Sequence, residues 1–101
     1  MKKPLYKIIW TDEAKADLKA IYDFIKNKSA QGAKKVVSEI RNAPKSVYFP
    51  DQNTEEQYNK SYKRIIVHHY KVLYRIQEEK SELIIFSVFD SRQNPDKLST
   101  K

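Results

Sequence analysis

The chain has 101 residues, 40% hydrophobic and 12% aromatic, which suits one folded α+β domain over residues 1–101 with a single modest core. Its 20 Lys and Arg against 13 Asp and Glu leave a net charge of +7, a balance that favours an acidic partner: nucleic acid, an acidic protein segment or an anionic membrane surface. With no Cys and one Gly, at Gly32, disulfide scaffolds, thiolate chemistry and Gly-rich phosphate loops are excluded.

No apolar run approaches the length that spans a bilayer. Met1-Lys2-Lys3-Pro4 is basic but leads into a short alternating segment, not the apolar core of a signal peptide, so the expected location is the cytoplasm. Leu5 to Trp10 is β-branched and aromatic and predicts a strand. Thr11 follows as a helix N-cap, with Asp12 and Glu13 in the first turn where the backbone N–H groups favour carboxylates. Ala14, Leu18, Ile21, Tyr22 and Ile25 then fall at i, i+4, i+7, i+8 and i+11, with Lys15, Asp17, Lys19, Asp23 and Lys26 opposite: an amphipathic helix with one buried stripe.

Asn27 to Ser29 breaks that helix. A second helix follows, carrying Ala33, Val36, Val37 and Ile40 on one face, and Pro44 ends or kinks it. The two form a helix hairpin. Ser46 to Ser61 reads as a loop with a short helical turn around Thr54 to Gln57. Tyr62–Val67, Tyr70–Gln77 and Glu82–Phe89 read as strands. A two-residue turn at His68-His69 pairs Val67 with Tyr70, Ile65 with Val72 and Lys63 with Tyr74. One face then carries Ile65, Val67, Tyr70, Val72, Tyr74 and Ile76 and meets the helices. The other carries Tyr62, Arg64, Ile66, Lys71, Leu73 and Arg75. Leu83 to Phe89 is apolar on both faces and predicts an interior strand. The expected architecture is a helix hairpin packed on one face of a small antiparallel sheet, in the order β-α-α-β-β-β.

Four groups of residues are candidates for chemistry. Arg64, Lys71 and Arg75 on neighbouring strands, with Tyr62 beside them, suit a phosphate backbone with unstacked bases, or form an ordinary solvated sheet face. His68 can move a proton near neutral pH, or sit in a polar hairpin turn. Asp90 and Arg92, where the last strand runs out, either pair as a cap or let Arg92 reach the rim of the Arg64 face. Asp12 and Glu13 are assigned to capping. Adjacent strand residues point to opposite faces, so His68-His69 is a poor metal ligand set, and neither a metal nor a cofactor is expected.

Lys63-Arg64-Ile65-Ile66-Val67, Tyr70-Lys71-Val72-Leu73-Tyr74-Arg75-Ile76 and Ile84-Ile85-Phe86-Ser87-Val88-Phe89-Asp90-Ser91-Arg92-Gln93-Asn94-Pro95 resemble the C-terminal half of RelE/ParE-type toxins of type II toxin–antitoxin modules. Ile9-Trp10-Thr11 opening a helix with Ala14 and Leu18 is similar to the family start. The resemblance implies a growth-inhibiting toxin held in a hetero-oligomer with a cognate, acidic antitoxin, without a membrane partner. It implies one of two activities. ParE-like members poison DNA gyrase. RelE-like members are endoribonucleases that cleave messenger RNA in the ribosome, with cationic side chains on the sheet and often a Tyr or His near the C-terminus. Arg64 and Lys71 match basic positions on the first two sheet strands, and Arg92 the cation after the last. The sequence departs from the family at its tail. No Tyr or His follows Arg92, and Asp90 stands where many relatives carry His, so a general acid would have to be His68 or Tyr62. The departure favours the gyrase mode over the ribonuclease mode, with a bare nucleic-acid-binding module as the third reading.

Overall fold

The first strand, β1 (Lys7–Trp10), runs straight into Thr11, and this one residue fixes where the first helix begins. The Thr11 hydroxyl accepts from the Ala14 N–H at 3.2 Å, satisfying one of the unpaired donors at the start of α1 (Asp12–Lys26). The same hydroxyl donates to the Ile85 carbonyl at 2.8 Å, and the Thr11 N–H donates to that carbonyl at 3.1 Å. The cap is therefore also a bond to a strand 74 residues further along the chain. Ser29 caps α2 (Ala30–Asn42) by accepting from the Gly32 N–H at 2.9 Å. A Cβ on Gly32 would stand 3.2 Å from the Ser29 hydroxyl, so the tight cap favours glycine there. Pro44 does end the helix: α2 stops at Asn42 and Pro44 is buried in a 3-10 turn over Ala43–Ser46.

The computed structural model describes residues 6–48, 52–53, 55 and 62–92. The remaining strands are β2 (Lys63–Val67), β3 (Tyr70–Gln77) and β4 (Glu82–Asp90), in a sheet of order β1-β4-β3-β2. The order β-α-α-β-β-β holds, with both helices on one face. β2, β3 and β4 form the expected antiparallel meander, and β4 is interior as its two apolar faces require. β1 joins β4 in parallel, making the sheet mixed. The helix hairpin forms part of the long crossover that separates them, which a parallel pair needs and a tight turn cannot supply. The β2–β3 register is the predicted one, with Val67 opposite Tyr70, Ile65 opposite Val72 and Lys63 opposite Tyr74. His68 takes the left-handed region at φ 56° to close the two-residue turn.

The helices and sheet share one core. Leu18, Val37, Ile40, Val72, Tyr74 and Ile85 are buried in it, with Ile21, Ile25, Val36, Ile65 and Val67 packed around them. Tyr74 has no accessible ring surface, and its hydroxyl accepts from Asn53 Nδ2 at 2.8 Å. Burial pushes that phenol's pKa above its usual value. Lys63 Nζ donates to the Asn53 carbonyl at 3.0 Å, and Glu55 bridges Lys63, so these two loop residues are tied to the sheet edge. The rest of the expected turn around Thr54 to Gln57 lies outside the described residues, as do the basic start and the tail beyond Arg92. No helix among the described residues is long and apolar enough to cross a membrane.

β4 carries a register shift. Leu73 faces Ser87 while the next residue, Tyr74, faces Ile85, so Phe86 is an extra residue, a β-bulge. Asp17 of α1 sits against it: Ser87 Oγ and the Val88 N–H both donate to Asp17 Oδ2 at 3.0 Å. The helical pattern assigns Asp17 to the solvated side, and the structure corrects this: the side chain borders the buried stripe and is half-buried. Asp17→Ala should lower unfolding free energy by about 1–3 kcal/mol, the cost of leaving a buried donor without its partner. Leu18→Ala should cost about 2–5 kcal/mol by emptying a core position. Urea denaturation measures both.

Candidate functional site

Away from the helices, the sheet presents a second, smaller apolar cluster overlaid with cations. Tyr62, Leu73 and Phe89 are buried there, and Phe86 packs against them. The Tyr62 and Phe86 rings lie 5.1 Å apart between centroids, tilted by 60°. The guanidinium of Arg75 stands 4.6 Å from the Tyr62 centroid and 5.5 Å from that of Phe86, and Lys71 Nζ stands 5.9 Å from the Phe89 ring. The negative faces of the rings attract the cations, so the positive charge is held against an aromatic platform. Lys71 is largely buried, its stem lying along apolar surface. Ile66 on the same face is 54% exposed.

Arg64, Lys71 and Tyr62 thus share this face, as strand alternation predicts. Leu73 stands directly opposite Arg64, so Lys71 is not its facing neighbour: Lys71 and Arg75 take the two diagonals. Phe86 reaches Arg75 by strand alternation, and the unpredicted bulge resets the phase beyond it so that Phe89 shares the same platform.

Arg92 and His68 are elsewhere. Asp90 is the cross-strand partner of Tyr70, whose ring belongs to the helix-side core, and Asp90 grips Arg92. Arg92 Nε donates to Asp90 Oδ1 at 3.0 Å, Nη2 to Oδ2 at 2.8 Å, and the Arg92 N–H to Oδ1 at 2.8 Å. Arg92 is therefore drawn to the helix side instead of the rim of the Arg64 face, because a carboxylate two residues earlier offers a two-pronged match to its planar fork. His69 Nε2 lies 3.5 Å from Asp90 Oδ2, with its ring 4.3 Å from that of Tyr70. His68 Nε2 meets Glu39 Oε2 of α2 at 2.5 Å. Each turn histidine thus reaches a carboxylate on a different element. Burial and the Asp90 charge push the Tyr70 phenol above its usual pKa, and the Asp90 hydrogen bond raises the Arg92 guanidinium. Among the described residues no group of three or more His, Cys, Asp or Glu is arranged to hold a metal.

A third feature lies between the helices. Trp10, Leu18, Tyr22 and Val37 line an apolar groove of about 550 Å³ with Lys15, Lys19 and Arg41 on its rim.

The sequence pattern of the ParE toxins of type II toxin–antitoxin systems, parDE, matches residues 8–95. The chain belongs to that family. In fold it is similar to a chain of the chromosomal ParDE system of P. aeruginosa, with 21% identity over 85% of this chain and 96% of that one and a TM-score of 0.68. It is similar also to a chain of the RelBE2 toxin–antitoxin complex of Mycobacterium tuberculosis, with 16% identity over 88% and 94% and a TM-score of 0.65. A mutant E. coli RelE toxin bound to a RelB peptide aligns over 95% and 93% at 14% identity and a TM-score of 0.52. No curated protein matches the chain.

The Asp90 carboxyl, ordinarily near 3.8, is held down to about 2, first by its hydrogen bond from the Arg92 side chain. A depressed carboxyl contributes stability that is complete above the unfolded value and fades as pH falls through the folded one. Wild type should therefore exceed Asp90→Asn in thermal midpoint above pH 4, and the gap should narrow steadily as pH falls from 4 toward 2.

Proposed function

We propose that this chain is a growth-inhibiting toxin that acts in the cytoplasm on DNA gyrase through a protein–protein contact, and that a cognate antitoxin silences it. The match to the ParE family over residues 8–95 carries this reading. The placement of the candidate acids supports it. A ribonuclease needs a proton donor beside its cations, on the same side of the scissile phosphate. Tyr62 is only 8% exposed and lies beneath the Arg75 guanidinium. His68 is bonded to Glu39 on the helix side, remote from Arg64 and Lys71. The open face then offers fixed positive charge over apolar rings, which suits an acidic protein surface. The proposed mechanism needs neither metal nor cofactor.

The antitoxin reading rests on the charge of +7 and on the groove between the helices. An apolar trough with Lys15 and Arg41 along its rim, and Lys19 paired there with Asp23, suits an acidic amphipathic segment, giving a toxin–antitoxin hetero-oligomer. Association should slow markedly with added salt while dissociation changes little, because charge governs encounter and apolar anchors govern lifetime. Stopped-flow mixing with the product of the adjacent gene measures both rates.

Inducing the chain alone should stop DNA supercoiling and replication before messenger RNA declines. Arg64→Ala should weaken growth arrest, by roughly tenfold if it is an interface anchor, with the thermal midpoint almost unaltered. Prompt messenger RNA cleavage on ribosomes, abolished by Arg64→Ala or Lys71→Ala, would favour the ribonuclease reading instead.

A further inference from the structure

Phe24 breaks the amphipathic logic of α1. Ile21 and Ile25 on either side of it pack into the core, yet Phe24 is 65% exposed. It stands between two clefts that share Phe24 and the buried Tyr70. The first, of about 300 Å³, runs past Ile21, Val88 and Phe89. The second, of about 350 Å³, runs past Ile25 and Val36 and is bordered by Lys28, His68, His69 and Arg92. Lys28 Nζ lies 5.9 Å from the Phe24 centroid. The carboxylates nearby are engaged: Asp17 holds the β4 bulge and Asp90 holds Arg92. What faces outward is a ring between two clefts, the first lined by Ile21, Val88 and Phe89 together with Asp17 and Asp90, the second with Lys28 at its border.

We propose that this surface docks a short acidic segment of the protein that the toxin acts on, with Phe24 wedged between two apolar side chains of that segment. The inference rests on the reading above that the target is a protein. The occupant's chemistry follows from the border: Lys28 favours a carboxylate, and the clefts accept one aliphatic or aromatic side chain each. Geometry separates this surface from the antitoxin groove. At 100° per residue, Asp17, Ala20, Ile21, Phe24 and Ile25 lie on one flank of α1, with Lys28 in the turn that follows it, and Lys15, Leu18, Lys19, Tyr22 and Asp23 on the other. The two surfaces can be filled at once. A single exposed ring between small clefts also suits a brief encounter, in contrast to the larger trough, which suits a lasting one.

The test compares induced wild type, Phe24→Ser, Phe24→Leu and Lys28→Glu for viable count, and each purified chain for thermal midpoint and for binding to the adjacent gene's product. Phe24→Ser and Lys28→Glu should each lose growth arrest by roughly tenfold or more, Phe24→Leu should keep most of it, and the midpoint and antitoxin binding should stay near wild type. If wild type arrests growth and Phe24→Ser arrests it equally, the docking surface is refuted while the toxin reading stands. If Phe24→Ser stays toxic but escapes the antitoxin, the surface belongs to the antitoxin and the proposal is overturned. If wild type itself does not arrest growth, the toxin reading fails, and this inference with it.

Discussion

The seating of α1 across the β4 bulge is the constraint on which the remaining geometry depends. Thr11 binds the Ile85 carbonyl on one side of the extra residue, and Asp17 binds Ser87 and Val88 on the other. Between those two points the helix cannot slide along the sheet. Alternation already turns Phe86 to the far face, and the bulge resets the phase beyond it, so that Val88 joins Ile85 in the helix-side core and Phe89 joins Phe86 on the far face. One inserted residue therefore sets both what the helices cover and what the opposite face offers. A bulge left without Asp17 would expose its amide to an apolar layer, which is costly unless a donor there finds an acceptor.

The two sides of the sheet divide the positive charge in different ways. On the open face Lys71 and Arg75 lie on aromatic rings, which hold them in place. On the helix side Arg92 is matched by Asp90, and His68 by Glu39. A paired cation still donates from its outer nitrogens, but its field is largely spent on its partner.

Much of this architecture can be read from residue order. The stripe from Ala14 to Ile25, the Thr11 and Ser29 breaks, and the β2–β3 register follow from periodicity of 3.6 and 2 and from a two-residue turn. What cannot be read is where local pattern meets a distant element. Asp17 is polar at a boundary position of its helix, so nothing nearby marks it as buried; its role comes from a strand some 70 residues away. The parallel entry of β1 depends on which edge of β4 is vacant, which no periodicity encodes. For the candidate site, strand alternation puts Arg64, Lys71 and Tyr62 together, but it extends Arg92 toward them because it cannot foresee the grip of Asp90. Phe24 is invisible for another reason: it stands off the stripe formed by Ala14, Leu18, Ile21, Tyr22 and Ile25, and a single apolar residue on a helix surface carries no signal by itself.

The pairing of β1 with β4 also orders events in time. Thr11 and Ile85 are 74 residues apart, so neither the strand pair nor the bond from the Thr11 cap to it can close until the chain has been made through Ile85. Closing so long a loop is entropically slow and is rewarded only at the end. A nascent chain in the midst of synthesis holds two helices with their apolar stripes unsheltered and has no sheet to shelter them. Translation that stops before β4 leaves a fragment that lacks the interior strand, and with it the layer on which both helices and the opposite aromatic cluster are built.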